Sequence, residues 1–183
     1  MFGPRRAVFL DRDGVLVVPQ FREGRSFAPT TLAEFAIYPD APRCVARLKE
    51  AGFFTVVVSN QPDVGAGRVA RELVDEMSVR LRRAMPLDAI KICCHTNASP
   101  CACRKPRPGM LLEAAREIGL DLKESFMVGD RASDVEAGAA AGCRTVFIDL
   151  GYTAEQPPER PNRIVGSLSE AADWILSMPQ EHS

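Results

Sequence analysis

Short apolar runs of strand length alternate along this chain with stretches of helical periodicity, and few folds accept that order. The runs fall at residues 7–10 (Ala-Val-Phe-Leu), 53–58 (Phe-Phe-Thr-Val-Val-Val), 90–93, 125–128 and 145–148. The first two are apolar on consecutive rather than alternate positions, as in strands covered on both faces. Helical patterns fill the intervals. Asp40 is expected to cap a helix that runs to Glu50 and stops at Gly52. Residues 68–84 carry Val69, Leu73, Met77 and Leu81 at helical spacing, 108–118 run up to Gly119, 133–141 up to Gly142, and 168–178 follow. This alternation predicts an α/β fold, a Rossmann-like three-layer sandwich with a central parallel sheet between helices. Ligands bind such sheets at the C-terminal ends of the strands. Three expected strand ends carry polar groups there: Asp11, then Ser59 and Asn60, then Gly129 and Asp130.

At 183 residues the chain is long enough for one domain with its own core and short for two, so 1–183 is read as a single domain. The helices use most of the chain between the strands, which leaves no room for a large cap domain. Residues 17–39 form a long connection, and 151–161 form a Pro-rich loop. A net charge of −1 gives no bulk attraction to nucleic acid or to a membrane surface. No apolar stretch approaches the roughly 20 residues of a membrane span. Residues 1–6 lead straight into a strand without the apolar core of a signal peptide. These features predict a cytoplasmic protein that handles a small molecule, with neither nucleic acid nor membrane as partner, and they are compatible with a monomer.

Asp11-Arg12-Asp13-Gly14 follows the first run. Carboxylates at i and i+2 of extended chain point the same way, and Gly14 allows a sharp turn after them. One carboxylate can attack phosphorus while the other handles the proton of the leaving group. Taken alone, the pattern describes a simple cation site or a solvated acidic loop equally well.

The six cysteines include four within residues 93–103, arranged Cys93-Cys94-His95, five residues, then Cys101-Ala102-Cys103. Cys93, His95, Cys101 and Cys103 offer four soft ligands in one loop (93–104), the set that suits tetrahedral Zn²⁺. Four protein ligands leave no open position, so the site is expected to be structural. It would brace the Arg104-Lys105 pair that follows it. Buried or redox-active thiols are the alternative. Cys94, Cys44 and Cys143 read as packed residues. Only His95 and the penultimate His182 are histidines, so a mechanism needing a free histidine has almost no candidate.

Four motifs, taken together, resemble those of the haloacid dehalogenase-like phosphatases, in family order: Phe9-Leu10-Asp11-Arg12-Asp13-Gly14-Val15-Leu16, Val57-Val58-Ser59-Asn60-Gln61, Arg104-Lys105-Pro106 and Met127-Val128-Gly129-Asp130. The resemblance implies that Asp11 is the nucleophile and Asp13 the general acid and base. It assigns Mg²⁺ to Asp11, the backbone carbonyl of Asp13, and Asp130. Ser59 with the backbone of Asn60 and Gln61, together with Lys105, would meet the phosphoryl oxygens. Asp134 is either a further metal-holding acid or an acid in the first turn of its helix, and Arg131 resembles a substrate-contacting position. The Cys/His loop followed by Arg104-Lys105-Pro106 and Pro108-Gly109-Met110 resembles the D-glycero-D-manno-heptose-1,7-bisphosphate 7-phosphatases. The histidinol-phosphate phosphatase domains share a related loop. In the heptose group Arg104 would recognise substrate. The chain departs from that group where Gln20, Phe21 and Arg22 stand in the segment over the substrate, and where Asp63 follows the second motif with Arg68 able to balance its charge. The substrate thus implied is a small phosphorylated sugar or a similar metabolite. A non-catalytic binding protein on the same fold has no need for Asp11, Asp13, Ser59, Lys105 and Asp130 together.

Overall fold

A computed structural model describes residues 5–179; the readings made for residues 1–4 and for His182 lie outside them. Strand β1 (Ala7–Leu10) leads through a turn into an antiparallel hairpin, β2 (Gln20–Arg22) with β3 (Arg25–Phe27). Then come α1 (Ala41–Glu50), β4 (Phe54–Asn60), the single turn α2 (Pro62–Gly65), α3 (Arg71–Ala84), β5 (Ala89–Cys93) and α4 (Gly109–Ile118). The chain continues with β6 (Phe126–Gly129), α5 (Ala132–Ala141), β7 (Arg144–Ile148), β8 (Arg163–Val165) and α6 (Leu168–Ser177). The main sheet has the order β5-β4-β1-β6-β7-β8, with every pairing parallel.

Alternate side chains of the strands enter two cores. Val8, Leu10, Val57, Val128 and Ile148 face α1 and α6 through Val45, Leu48, Ala171 and Ile175. Phe9, Val56, Val58 and Met127 face α4 and α5 through Met110, Leu111, Ala114 and Ala137. This is the three-layer α/β sandwich expected from the sequence. All four side chains of β1 are fully buried. The candidate nucleophile thus follows the most enclosed strand of the sheet. Burying each large apolar side chain contributes about 1.5–3 kcal/mol, so the central strands hold Asp11 in place.

Several local expectations are corrected. Asp40 occupies the N-cap of α1, but its backbone is already helical (φ −90°, ψ −14°) and its side chain makes no cap bond. Pro42 in the first turn suits the start of the helix without one. Residues 68–70 do not belong to α3, because the amides of Arg68 and Val69 both donate to the Asp63 carbonyl, at 2.9 and 3.2 Å. The helix therefore begins later, and it buries Val74, Met77 and Leu81 rather than Val69 and Leu73. Strand β4 runs on through Ser59 and Asn60, which pair with Ile92 and Cys93. The hairpin within 17–39, the single turn α2 and the edge strand β8 went unforeseen. Among the described residues no large cap covers the strand ends, and no helix is long and apolar enough to cross a membrane.

Candidate active site

A cavity of about 570 Å³ opens at the C-terminal ends of β1, β4 and β6. Asp11, Asp13, Asn60, Lys105, Arg131 and Asp134 line it, with Arg104 at one side and residues 25–28 of the hairpin at another. Ser59, Gln61 and Asp130 are buried close by and are not among the lining residues.

Lys105 is the centre of the charge arrangement. Its Nζ lies 2.6 Å from Asp11 Oδ1 and 2.6 Å from Asp134 Oδ1, and it donates to the Val58 carbonyl at 2.8 Å. Burial opposes its charge, but the Asp11 and Asp134 carboxylates outweigh burial and raise its pKa. The loop carrying Lys105 is fixed by Asn60, whose side chain donates to the Lys105 carbonyl at 3.0 Å and accepts from its amide at 3.1 Å. Asn60 is thereby occupied in placing the lysine.

Asp11, Asp130 and Asp134 offer carboxylate oxygens all within 4.8 Å of one another. Three buried carboxylates face one ammonium, an imbalance that a divalent cation would relieve. Asp130 Oδ1 is buried without a hydrogen-bond partner, which fits a metal ligand. Burial, and then the charges of Asp11 and Asp134, push the Asp130 carboxyl well above the ordinary carboxylate range. Burial likewise raises Asp134 to about 6, against the pull of Lys105. Two glycines leave room for these acids. A Cβ on Gly14, whose φ is +94°, would fall 2.0 Å from Asp130 Oδ2, and one on Gly129 would fall 2.1 Å from Asp134 Cβ. The two alternatives for Asp134 are compatible. It accepts from the Arg131 amide at 3.1 Å, closing the first turn of α5, while its other oxygen meets Lys105 within the acid cluster.

Asp13 is held apart from these acids. The buried Arg12 grips its carboxylate from two nitrogens, Nε to Oδ1 at 3.0 Å and Nη2 to Oδ2 at 2.9 Å. Gln61 Nε2 donates to Asp13 Oδ2 at 2.8 Å and to Ser59 Oγ at 2.9 Å. Sequence reasoning assigned nothing to Arg12, because pattern alone does not show that a motif arginine turns inward. Arg131 crosses to the hairpin, donating to the carbonyl of Ser26 at 2.5 Å and to its hydroxyl at 2.6 Å. Arg68 does pair with Asp63. Arg22 is absent from the cavity lining and lies nearest Glu34, whereas Arg25 lines the cavity.

Cys93, His95, Cys101 and Cys103 converge as expected, with ligand atoms within 4.8 Å of one another. Cys93 Sγ lies 3.1 Å from Cys103 Sγ, 4.0 Å from Cys101 Sγ and 3.5 Å from His95 Nδ1. A tetrahedral ion with Zn–S bonds of about 2.3 Å spaces its sulfurs by about 3.8 Å; the Cys93–Cys101 pair is near that and the Cys93–Cys103 pair is closer, so the donor set suits one once Cys103 moves outward by several tenths of an ångström. Arg104, next in sequence, donates to the His95 carbonyl at 3.3 Å.

Known proteins resemble this chain in sequence and in fold. The family model described as "HAD-hyrolase-like" matches residues 102–171. A D-glycero-beta-D-manno-heptose-1,7-bisphosphate 7-phosphatase of Pseudomonas aeruginosa is 32% identical over 180 residues, covering 94% of this chain and 98% of its own length. The chain belongs to the haloacid dehalogenase-like phosphatases. It is a phosphoric monoester hydrolase. A D-glycero-D-manno-heptose-1,7-bisphosphate 7-phosphatase of Thermosynechococcus vestitus is 31% identical over 196 residues, covering 95% of this chain and 97% of its own. Among solved structures, the D,D-heptose 1,7-bisphosphate phosphatase of B. bronchiseptica, complexed with magnesium and phosphate, matches with a TM-score of 0.81. It is 28% identical and covers 93% of this chain and 98% of that one. Residues of all four motifs lie together at one end of the sheet of this chain.

Proposed function

We propose that the chain is a Mg²⁺-dependent phosphatase that removes the 7-phosphate of D-glycero-D-manno-heptose 1,7-bisphosphate through a phosphorylated Asp11. The observation that carries this reading is the Asp11 carboxylate, set at the cavity floor 2.6 Å from Lys105 and within the same acid cluster as the unpartnered Asp130 oxygen. Substrate and site residues follow the full-length relatives and the motif positions.

Asp11 attacks phosphorus, a P–O bond forms, and the ester P–O bond breaks. Asp13 gives its proton to the leaving sugar oxygen. Water then attacks the phosphoryl group on Asp11, its proton passes to Asp13, and inorganic phosphate leaves. Lys105, Ser59 and the backbone of Asn60 hold the phosphoryl oxygens, while Arg104 and Arg131 hold the rest of the substrate; the Gln61 amide, expected from the sequence to join them, is instead given to the Cys93 carbonyl at 2.7 Å. Asp11, the Asp13 carbonyl and Asp130 would hold Mg²⁺. Bound there, Mg²⁺ supplies positive charge against the repulsion between an anionic nucleophile and an anionic ester. Cys93, His95, Cys101 and Cys103 would hold structural Zn²⁺ and keep Arg104 at the cavity wall. The same chemistry on histidinol phosphate or another sugar phosphate is the second reading, favoured by the changed segment Gln20-Phe21-Arg22.

Phosphate release with Mg²⁺ from α- and β-heptose 1,7-bisphosphate, fructose 1,6-bisphosphate and histidinol phosphate tests the substrate. Preference for one heptose anomer is the expected result. Turnover of another ester would keep the Asp11 chemistry and move the substrate. Asp11→Asn should abolish turnover with the fold intact, and retained activity would remove the covalent mechanism.

A further inference from the structure

Tyr152 lies outside the four motifs and has no part in the roles above, yet it touches the acid cluster directly. Its Oη donates to Asp130 Oδ2 at 2.5 Å. Its ring stacks on Phe21 of the hairpin, with centroids 5.9 Å apart and planes inclined by 21°. Phe21 is 57% exposed, so the stack is a surface contact made by an aromatic residue that the core does not require. The neighbours of Tyr152 grip the same hairpin. The Ala154 amide donates to the Gly24 carbonyl at 3.1 Å, and the Ser26 amide donates to Glu155 at 3.4 Å.

On the other side of the hydroxyl, the two oxygens of Asp130 differ. Oδ2 is engaged by Tyr152, while Oδ1 is buried and unpartnered. A ligating carboxylate is oriented by the donor to its second oxygen, as ligating side chains generally are by their outer hydrogen-bond partners. The hairpin that carries Phe21 also supplies residues 25–28 of the cavity wall. One phenol therefore joins the acid cluster to the hairpin that forms part of the cavity wall.

We propose that Tyr152 is a positioning residue for Mg²⁺: it fixes Asp130 so that Oδ1 faces the metal, and Phe21 fixes Tyr152. The inference rests on the Mg²⁺ site proposed above. Seating of the hairpin and binding of Mg²⁺ are then coupled, and the coupling is reciprocal. Mg²⁺ should increase amide protection in residues 20–27, and loosening the hairpin should weaken Mg²⁺.

The test is calorimetric titration of Mg²⁺ into the wild-type protein, Y152F, F21A and the double variant, with turnover followed against Mg²⁺ concentration. Y152F keeps the ring and removes only the donor. It is expected to weaken Mg²⁺ about tenfold or more, with turnover regained at high Mg²⁺, a recovery that a purely structural role would not give. F21A is expected to weaken Mg²⁺ about fivefold in the wild type and to add little in the Y152F background. A Y152F affinity within twofold of wild type would overturn the proposal, and an equal F21A effect in both backgrounds would overturn its hairpin half. If the wild-type protein binds no Mg²⁺, the metal reading fails and this inference with it, an outcome distinct from a Y152F that binds normally.

Discussion

Lys105 and Asp134 form a buried ion pair, Nζ to Oδ1 2.6 Å, with side chains 2% and 1% exposed. Removing one member of such a pair leaves an uncompensated charge and costs about 3–5 kcal/mol. Lys105→Met should lower stability by about that amount in Mg²⁺-free urea unfolding at neutral pH. Mg²⁺ should recover more stability in the variant than in the wild type, because it then replaces the ammonium that had faced the acids. Equal Mg²⁺ stabilisation of both proteins would argue against a cation site there.

The raised carboxyls set a pH dependence. Asp134 rises on folding from 3.8 to about 6, and Asp130 moves in the same direction. The folded state thus binds more protons than the unfolded one across that interval. The contribution of Asp134 is complete below 3.8 and is lost as pH rises through about 6, and Asp130 adds a loss of the same sign. The Mg²⁺-free protein should show this loss in urea unfolding between those values. Mg²⁺, which favours the charged carboxylates, should flatten it. Asp134→Asn should remove part of the slope, and an unchanged slope in that variant would exclude Asp134 as its source.

Arg12 orients the candidate acid. Arg12→Met frees Asp13 from two of its three donors and should lower turnover of alkyl phosphates about 100-fold. Aryl phosphates, whose leaving groups need no proton, should suffer much less. The ratio of the two rates checks this, and a uniform loss on both substrates would point to general damage instead.

The Cys/His loop ends at the cavity wall. Cys101→Ser should lose Zn²⁺ and release Arg104 from the His95 carbonyl, raising KM about tenfold with a smaller change in kcat. Metal analysis of the purified variant gives the answer first. Zinc still near one per chain would mean that the ligand set is wrong.

The alternation of apolar runs and helical patterns was enough to read the parallel sheet, because strands buried on both faces must be apolar throughout. The strand ends were legible for the same reason: Asp11 and Asp130 break their apolar runs abruptly. Partnerships were not legible. Nothing in a pattern shows that Arg12 turns inward onto Asp13, or that Asn60 is occupied by the Lys105 backbone, since both depend on loops that meet only in three dimensions. Tyr152 offered one faint signal, an aromatic residue just past the end of β7. The hairpin at 20–27 carries too few apolar positions to mark two strands, and β8 has only Val165 buried.

The amide of Asp11 donates to the Val128 carbonyl at 3.0 Å, one rung beyond the last paired residue of β1. The proposed nucleophile is therefore bolted to the sheet by its own backbone, while the groups that feed and cover it hang from loops. As the protein is warmed, its reactive carboxylate should be among the last parts to lose register. An enzyme built this way falls silent by losing its walls, with the attacking group still aimed.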